Sequence, residues 1–388
     1  MELNVVNSSS MGKHIILLIA FILGIKLVYL LIPMISNPDF ADKTPYRSYI
    51  TIVKKNDAYW YKSIAEKGYP KVYTKRDLGY SEGPDFKQSE WAFFPFYPAL
   101  NAFTMDSLKL NYNHSALLWS LVFSILAILG MYWFSLAYFE NSAKAFTSTL
   151  LLFCFPFSFY FSMYYTEALF FTFTILSFLS IHHRKYFLLA LCLIPLTLLR
   201  PNGIVILLPL YLYHLERQGI IANIKIQWQE LLTFKNIGKS VAFVSAPVAF
   251  VIYGFYQLHM TGYFFAFSIA QDGWYRELSF PLVSFFNRGD LATQFNSIFT
   301  IGVIVYAFWN RKKLPLSLNV LIVVSLLLPL CSGSVLSMTR FVSILFPLFF
   351  VLGNSIHTMK RPYLAFILVF ILHLVSFYPW TIHHPISF

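Results

Sequence analysis

Carboxylates and guanidinium groups stand beside apolar segments at several places along the chain, in a combination that suits chemistry on a phosphate ester. Two acids, Asp57 and Glu167, each come at the head of a segment with helical periodicity. Three arginines, Arg200, Arg276 and Arg340, stand in LLRPNG, AQDGWYRE and SMTRFVSILFP. A guanidinium fork binds phosphate oxygens in pairs, and a carboxylate can take a proton from a hydroxyl group. We therefore expect a phosphate-linked lipid as substrate.

The composition shows what kind of scaffold must position these groups. Hydrophobic residues make up 57% of the 388-residue chain and charged residues only 12%, about half the charge of a soluble domain. Apolar runs of roughly 17–25 residues are long enough to cross the bilayer's hydrocarbon core. The sequence predicts an all-α, polytopic integral membrane protein that forms a single domain over residues 1–388.

Eleven apolar runs are candidates for membrane-spanning helices. The two shortest are separated by RPNG. The predicted spans are 14–35, 116–138, 146–163, 166–181, 186–199, 204–214, 240–258, 293–309, 315–331, 341–355 and 362–380. The first is too long for the apolar part of a signal peptide and is predicted to be an uncleaved anchor.

The basic residues predict the orientation of these spans. With the N-terminus in the cytoplasm, the Lys and Arg clusters of the short loops all fall on the cytoplasmic side, as the positive-inside rule requires. The clusters include Arg184 and Lys185, the run at 311–313, and Lys360 with Arg361. The C-terminus and the acid–arginine set then face the extracytoplasmic side of the membrane. The net charge of +12 is therefore largely a topological signal that also attracts anionic lipid headgroups, and no nucleic acid partner is expected.

Two long segments, 36–115 and 259–292, are predicted outside. The first contains a helical pattern over 57–68, with Gly68 as its C-terminal cap, typical of an amphipathic helix on the membrane surface. Residues 91–103, WAFFPFYPALNAF, are apolar but short and contain Pro95 and Pro98. We expect a re-entrant or interfacial segment there, because interrupted backbone at membrane depth must be covered by protein or line a cavity.

Several classes of site are excluded by missing patterns. The chain has no Walker or dinucleotide-binding glycine pattern and no Asp-x-Asp motif. The pairs His182/His183 and His383/His384 lie in a basic turn and a terminal tail, and the three cysteines lack ligand spacing. We predict neither a cofactor nor a metal site.

Each candidate residue also has a structural explanation. Asn56 or Asp57 could cap a helix, Glu167 could face the positive end of a helix dipole, and the arginines could extend to lipid headgroups. As a set, however, charged residues at one end of many spans usually mark a site or a pathway.

Six segments in order resemble motifs of the PIG-V mannosyltransferase family, glycosyltransferases of the GT-C type. They are NDAYWYKSIAEKGY, WAFFPFYPAL, FPFSFYFSMYYTEALFF, LLRPNG, FAFSIAQDGWYRELSFP and SMTRFVSILFP. Asn56 replaces the family's usual Trp before the acid. The resemblance is closer to the bacterial members than to the eukaryotic ones, which extend the GPI anchor precursor, so it does not name the acceptor.

The resemblance implies a reaction and a role for each residue. A sugar, mannose in this family, would pass with inversion from a polyprenyl-phosphate carrier to an acceptor hydroxyl on a glycan or glycolipid. Asp57 would be the catalytic base, and Arg200, Arg276 and Arg340 would hold the donor phosphate. Glu167 would bind hydroxyls or orient an arginine. The other residues implied in sugar or acceptor binding are Tyr165, Gln271, Trp274 and Glu90.

Two other classes of function remain open from the sequence. A transporter or lipid-linked-sugar flippase would also place charges in spans, although it typically shows two related halves with interrupted helices near mid-membrane, and no such repeat is visible. A non-catalytic membrane scaffold would not need the acid–arginine set.

Overall fold

The computed structural model describes residues 8–36, 43–222, 225–226, 238–286 and 289–384. Over these residues the chain is almost entirely helical, and the sheet found there is a two-stranded hairpin of β1 (Ile221–Ala222) and β2 (Lys225–Ile226). The prediction of an all-α fold is confirmed.

A helix occupies each of the eleven predicted spans. Five of the eleven are long and apolar enough to cross a membrane. These five are α1 (Ser8–Ser36), α5 (Tyr112–Phe139), α11 (Ser245–Thr261), α14 (Leu291–Asn310) and α18 (Pro362–Thr381). The other six are the shorter helices α6 (Ser142–Cys154), α7 (Glu167–His182), α8 (Tyr186–Leu199), α10 (Leu207–Arg217), α15 (Leu316–Leu330) and α17 (Phe346–His357). The chain is an integral membrane protein.

The remaining helices are short and lie between the spans. They are α2 (Pro45–Val53), α3 (Asp57–Lys67), α4 (Phe96–Leu108), α9 (Asn202–Val205), α12 (Ala266–Ile269), α13 (Val283–Phe286) and α16 (Met338–Ser343). Helices α2, α3 and α4 belong to the segment 36–115, while α12 and α13 belong to 259–292.

The segment 36–115 differs from the expectation in two ways. Residues 45–53 form α2, a helix that the sequence analysis did not predict. Pro95 and Pro98 do not interrupt a helix, because Pro95 precedes α4 and Pro98 lies in its first turn, where the missing N–H group would have no intrahelical partner. Residues 91–103 therefore lead into a regular helix.

The two long segments pack against each other. Tyr80 and Lys87 form an isolated antiparallel bridge in the first segment. Gly273, in the second, lies so close to this bridge that a Cβ on it would be 2.4 Å from the Lys87 carbonyl oxygen. A side chain at position 273 would push the segments apart, so glycine fixes their closest approach. The two segments thus pack together in the folded chain.

Candidate active site

The carboxylate of Asp57 is positioned at the first residue of α3. Asn56 precedes the helix with φ at 44° and makes no side-chain capping hydrogen bond, and Asn is one of the residues that best tolerate positive φ. The helix ends at Gly68, whose N–H donates to the Ile64 carbonyl at 2.8 Å, as predicted. Asp57 is not used as a capping group, because its Oδ2 accepts a hydrogen bond from Arg340 Nη1 at 2.6 Å.

The apolar face of α3 packs on protein. Tyr61 and Ile64 are buried, and the Tyr61 ring contacts Phe93 and Tyr97 edge-on at 5.2 and 5.1 Å. Burial raises the pKa of the Tyr61 hydroxyl to about 12, so it stays neutral. The predicted helix is present at Asp57–Lys67, and this packing holds α3, and Asp57 with it, in place.

Arg200 is positioned by the tight turn that follows α8. The Gly203 N–H donates to the Arg200 carbonyl at 2.9 Å. A Cβ on Gly203 would lie 2.1 Å from the Leu196 carbonyl oxygen, so only glycine lets the chain fold back on α8 here. The sequence RPNG is thus a turn that directs Arg200 toward the start of α7.

Glu167 joins two arginines from distant parts of the chain. Its Oε1 accepts hydrogen bonds from Arg200 Nη2 and from Arg340 Nε, while Arg200 Nε donates to Thr166 Oγ1 at 2.5 Å. Glu167 is fully buried, and its Oε2 has no hydrogen-bond partner among the described residues. The chain Arg200–Glu167–Arg340–Asp57 is therefore one ion-pair network, which we call the ion-pair chain.

Aromatic rings cover the Arg340 guanidinium. Its Cζ lies 4.4 Å from the ring centroid of Tyr165 and 5.6 Å from that of Tyr160. Such contacts favour a cation, and the guanidinium side chain is only 12% exposed. The alternative interpretation, that Arg200 and Arg340 extend to lipid headgroups, does not fit the structure, because both guanidinium groups form buried ion pairs with Glu167.

A cavity of about 680 Å³ opens beside the ion-pair chain. Asp57, Arg200, Arg276 and Arg340 all line it. Burial lowers the pKa of the Arg276 guanidinium, Asp57 raises it and Arg340 lowers it, but arginine remains protonated at neutral pH because its ordinary pKa exceeds 12. Glu277 also lines the cavity, so three carboxylates, with Glu167 behind the lining, stand against three guanidinium groups and the formal charges balance.

Arg276 differs from the other two arginines. Arg200 and Arg340 each donate to carboxylates, whereas the Arg276 side chain makes no hydrogen bond with the residues that the structure describes. A whole guanidinium fork is therefore directed at the cavity and is free for an anion.

Three aromatic side chains form one wall of the cavity. The Trp60 ring stacks on Phe93 at 5.9 Å, and Trp274 meets both rings edge-on at 5.6 Å. All three residues line the cavity, and Trp60 follows Asp57 by one turn of α3. An aromatic wall beside charged groups suits a ligand that has both an apolar face and polar edges.

Of the nine predicted site residues, seven line this cavity. The seven are Asp57, Tyr165, Arg200, Gln271, Trp274, Arg276 and Arg340. Glu167 lies behind the lining, among the arginines. Glu90 is not part of the lining and accepts a hydrogen bond from Ser63 Oγ at 2.9 Å. The roles of these residues remain predictions.

The sequence did not identify several residues at the site. Thr166 and Tyr160 hold the two arginines, and Trp380, from the end of α18, lines the cavity. The buried Lys55 donates to the carbonyls of Trp380 and Thr381 at 2.6 and 3.2 Å. Thr166 could have been predicted, because it directly precedes Glu167 in the sequence. The sequences around Tyr160, Trp380 and Lys55 contain no pattern that indicates a role at the site.

A second polar group of residues lies at the other end of α7. His182 Nδ1 and the Tyr213 hydroxyl are 3.0 Å apart, and Gln218 contacts the ring of the buried His214. Glu216 accepts hydrogen bonds from Ser317, from N at 3.0 Å and from Oγ at 2.5 Å. We call these residues, His182, Tyr213, His214, Glu216 and Gln218, the distal cluster. No group of three metal-ligating side chains was found among the residues described.

Comparison with known proteins gives no family. No family model and no curated protein matches the chain. Among solved structures, the chain is similar to the archaeal oligosaccharyltransferase AglB from Archaeoglobus fulgidus in complex with an inhibitory peptide and a dolichol-phosphate, with a TM-score of 0.44 and 10% identity. That match covers 94% of this chain and 56% of the other.

A second solved structure is the Archaeoglobus fulgidus oligosaccharyltransferase in complex with Zn and sulfate. Its TM-score is 0.41 at 10% identity, over 93% of this chain and 52% of the other. The chain thus spans about half the length of both structures. Similarity this low assigns no function, so the proposal below rests on the site, and the resemblance to the PIG-V family remains a prediction.

Proposed function

We propose that this protein is a glycosyltransferase that moves a sugar from a polyprenyl-phosphate carrier to an acceptor hydroxyl, with inversion at the anomeric carbon. One observation carries the proposal. A carboxylate, Asp57, and a guanidinium with no hydrogen-bond partner among the described residues, Arg276, both line the same cavity, which has an aromatic wall. A base for a hydroxyl and a fork for a phosphate are the two groups that this transfer needs.

Asp57 and Arg276 supply the groups that the steps of the transfer require. Asp57 takes the proton of the acceptor hydroxyl, whose oxygen attacks the anomeric carbon from the face opposite the phosphate. The bond from that carbon to the phosphate oxygen breaks, and polyprenyl phosphate leaves with its charge raised from one negative to two. Arg276 stabilises this increase, which is larger in the transition state than in the bound donor.

The finer parts of the proposal come from the sequence resemblance. Mannose is the sugar that the PIG-V-like motifs imply, and a glycan or glycolipid is the implied acceptor. Trp60, Phe93 and Trp274 support a sugar ligand, because a pyranose has apolar faces that pack on aromatic rings and hydroxyl edges that need polar partners. Gln271, in the same lining, supplies an amide for such an edge.

The test is a transfer assay with purified protein. Polyprenyl phosphates carrying radiolabelled mannose, glucose or galactose are incubated separately with a lipid and glycan extract, with and without EDTA. We expect label from the mannose donor to appear in an acceptor with inverted anomeric configuration, and to do so equally in EDTA.

Asp57→Asn serves as the control, since it keeps the shape of the site and removes the base. Transfer that is equal in both proteins, or absent from the parent with every donor, would contradict the proposal. Movement of intact labelled donor across vesicles without transfer would instead identify a flippase.

The face of the membrane is tested separately with single cysteines in a cysteine-free protein. Position 85 belongs to the segment 36–115 beside the site, and position 313 to the basic turn between α14 and α15. On intact cells, an impermeant thiol reagent should label position 85 and leave position 313 unlabelled. The reverse pattern would place the site in the cytoplasm.

A further inference from the structure

Arg340 lies between the proposed base and the proposed phosphate site. Its Nη1 donates to Asp57 and its Nε to Glu167, while Nη2 has no hydrogen-bond partner in the part of the chain described here. The guanidinium also lines the cavity. A single cation therefore contacts the group that gains a proton and faces the space where the leaving group gains a charge.

The Glu167 side of this cation is fixed. Glu167 is completely buried, so no substrate can touch it, and it also holds Arg200, which is anchored on Thr166 at 2.5 Å. The Asp57 side is open, because the Asp57 side chain is 26% exposed and belongs to the cavity lining. Any rearrangement of Arg340 is thus a pivot about Glu167.

The reaction changes the charge on both open sides of Arg340 at the same time. If the proposed function holds, Asp57 goes from negative to neutral as it takes the acceptor proton, and the phosphate goes from one negative charge to two. A charge-assisted hydrogen bond is about twice as strong as a neutral one. The better acceptor for Nη1 is Asp57 before transfer and the phosphate after it.

We propose that Arg340 couples the two halves of the reaction by exchanging partners, with its Nη1 hydrogen bond passing from Asp57 to the leaving phosphate as Asp57 is protonated. In this scheme Glu167 is a positioning residue. Its carboxylate is the pivot that keeps the guanidinium in place while the partner changes. Arg276 stays on the phosphate throughout.

The proposal predicts a particular coupling in product binding. Asp57→Asn mimics the protonated base and releases Nη1, so the variant should bind polyprenyl phosphate about ten- to hundredfold more tightly than the parent protein, the effect of one charge-assisted hydrogen bond. Removal of the negative charge of Asp57 would by itself strengthen the binding of polyprenyl phosphate. The gain in affinity must therefore be measured in variants of Arg340 and Arg276 as well as in the parent protein.

The experiment is a double-mutant cycle on the full-length protein in detergent, with dissociation constants for polyprenyl phosphate measured by titration calorimetry. The gain from D57N is compared in the parent, in R340Q and in R276Q. Charge removal alone gives equal gains in all three. Partner exchange gives a full gain in the parent and in R276Q, and a gain below about threefold in R340Q.

A gain in R340Q as large as that in the parent, or larger, would overturn the proposal. If R340Q does not fold, R340K replaces it, because an ammonium group keeps the charge but lacks the fork that serves two partners. D57N should give the same reduced gain in polyprenyl phosphate affinity in R340K. Failure of the proposed function is distinguishable, since the parent would then transfer no sugar in the transfer assay, whatever its affinity for polyprenyl phosphate.

Discussion

The two ends of helix α7 both collect polar side chains, but they use them differently. At its N-terminal end, Glu167 Oε2 and Arg340 Nη2 in the ion-pair chain have no hydrogen-bond partner among the described residues, and the ion-pair chain borders the cavity. At its C-terminal end, Glu216 of the distal cluster has both oxygens satisfied by Ser317, and His182 is paired with Tyr213. Burial and polarity are common to the two regions.

What distinguishes the regions is unused hydrogen-bonding capacity next to open space. A polar network whose members satisfy one another stabilises the packing of helices, whereas a network with unused donors beside open space can bind a ligand. The four predictions that follow test this difference, each by changing one end and measuring both function and stability.

The largest effect is expected for Asp57→Asn. Loss of a general base typically costs about 10²–10⁴-fold in rate, while Asn preserves the shape and leaves the fold intact. Turnover should fall by this factor, with thermal stability unchanged and donor binding retained. The matched control is Glu66→Gln on the same helix, which removes only a surface pair with Lys62, worth about 0.3–0.5 kcal/mol. Near-normal turnover by Asp57→Asn would remove it from the mechanism.

Glu167→Gln should damage function and stability together. The change leaves Arg200 and Arg340 without their shared counter-ion, and breaking a buried ion pair costs about 3–5 kcal/mol. We expect donor affinity and turnover to fall by at least about tenfold each, with a lower midpoint of thermal unfolding in detergent. A stable variant with parental donor affinity would show that the ion-pair chain is not needed to place the arginines.

Arg276→Ala should separate binding from stability. Because its guanidinium has no hydrogen-bond partner in the part of the chain that the structure describes, its loss should weaken donor affinity about ten- to hundredfold and leave the unfolding midpoint unchanged. Lys should restore part of the affinity, since an ammonium supplies the charge without the planar fork. If Arg276→Ala binds the donor as tightly as the parent does, while Arg200→Ala binds it more weakly, the phosphate lies elsewhere in the cavity.

The smallest functional effect is expected in the distal cluster, from Glu216→Gln. The amide keeps the shape but weakens the hydrogen bonds from Ser317, so stability should fall by about 1–2 kcal/mol. Donor affinity and turnover, measured in the same assays, should stay within about twofold, since a fully satisfied network far from the cavity offers no group to the reaction. A drop in donor affinity here would erase the distinction between the two ends.

Features that depend on residues close together in the sequence could be predicted, whereas features that depend on contacts between distant residues could not. The eleven helices followed from apolar length, because a span must be continuous and about 20 residues long, and the cap at Gly68 followed from local chemistry. Helix α2 was missed because residues 45–53 are short and mixed, and their burial against α1 and the aromatic residues nearby decides their structure.

The partners within the site lay beyond local reasoning. The pattern grouped Asp57, Glu167 and the three arginines at one end of the spans, but nothing near Arg340 indicates that its fork joins Asp57 to Glu167. Those contacts bridge 283 and 173 residues of chain. The sequence also did not distinguish Arg276, whose fork is unengaged, from the two arginines that are held by carboxylates.

The contact of Lys55 with the end of α18 sets an order of events during biosynthesis. Lys55 and its acceptor at Trp380 are 325 residues apart, and the Trp380 indole donates in turn to the Ile52 carbonyl at 3.1 Å. A ribosome that adds about 5–20 residues per second needs roughly 15–65 s to make that stretch. During this interval Lys55 lacks its acceptors at the end of α18, and Arg340 is made only near the end of the interval. The group of acidic and arginine residues that borders the cavity is therefore incomplete until most of this stretch has been synthesised.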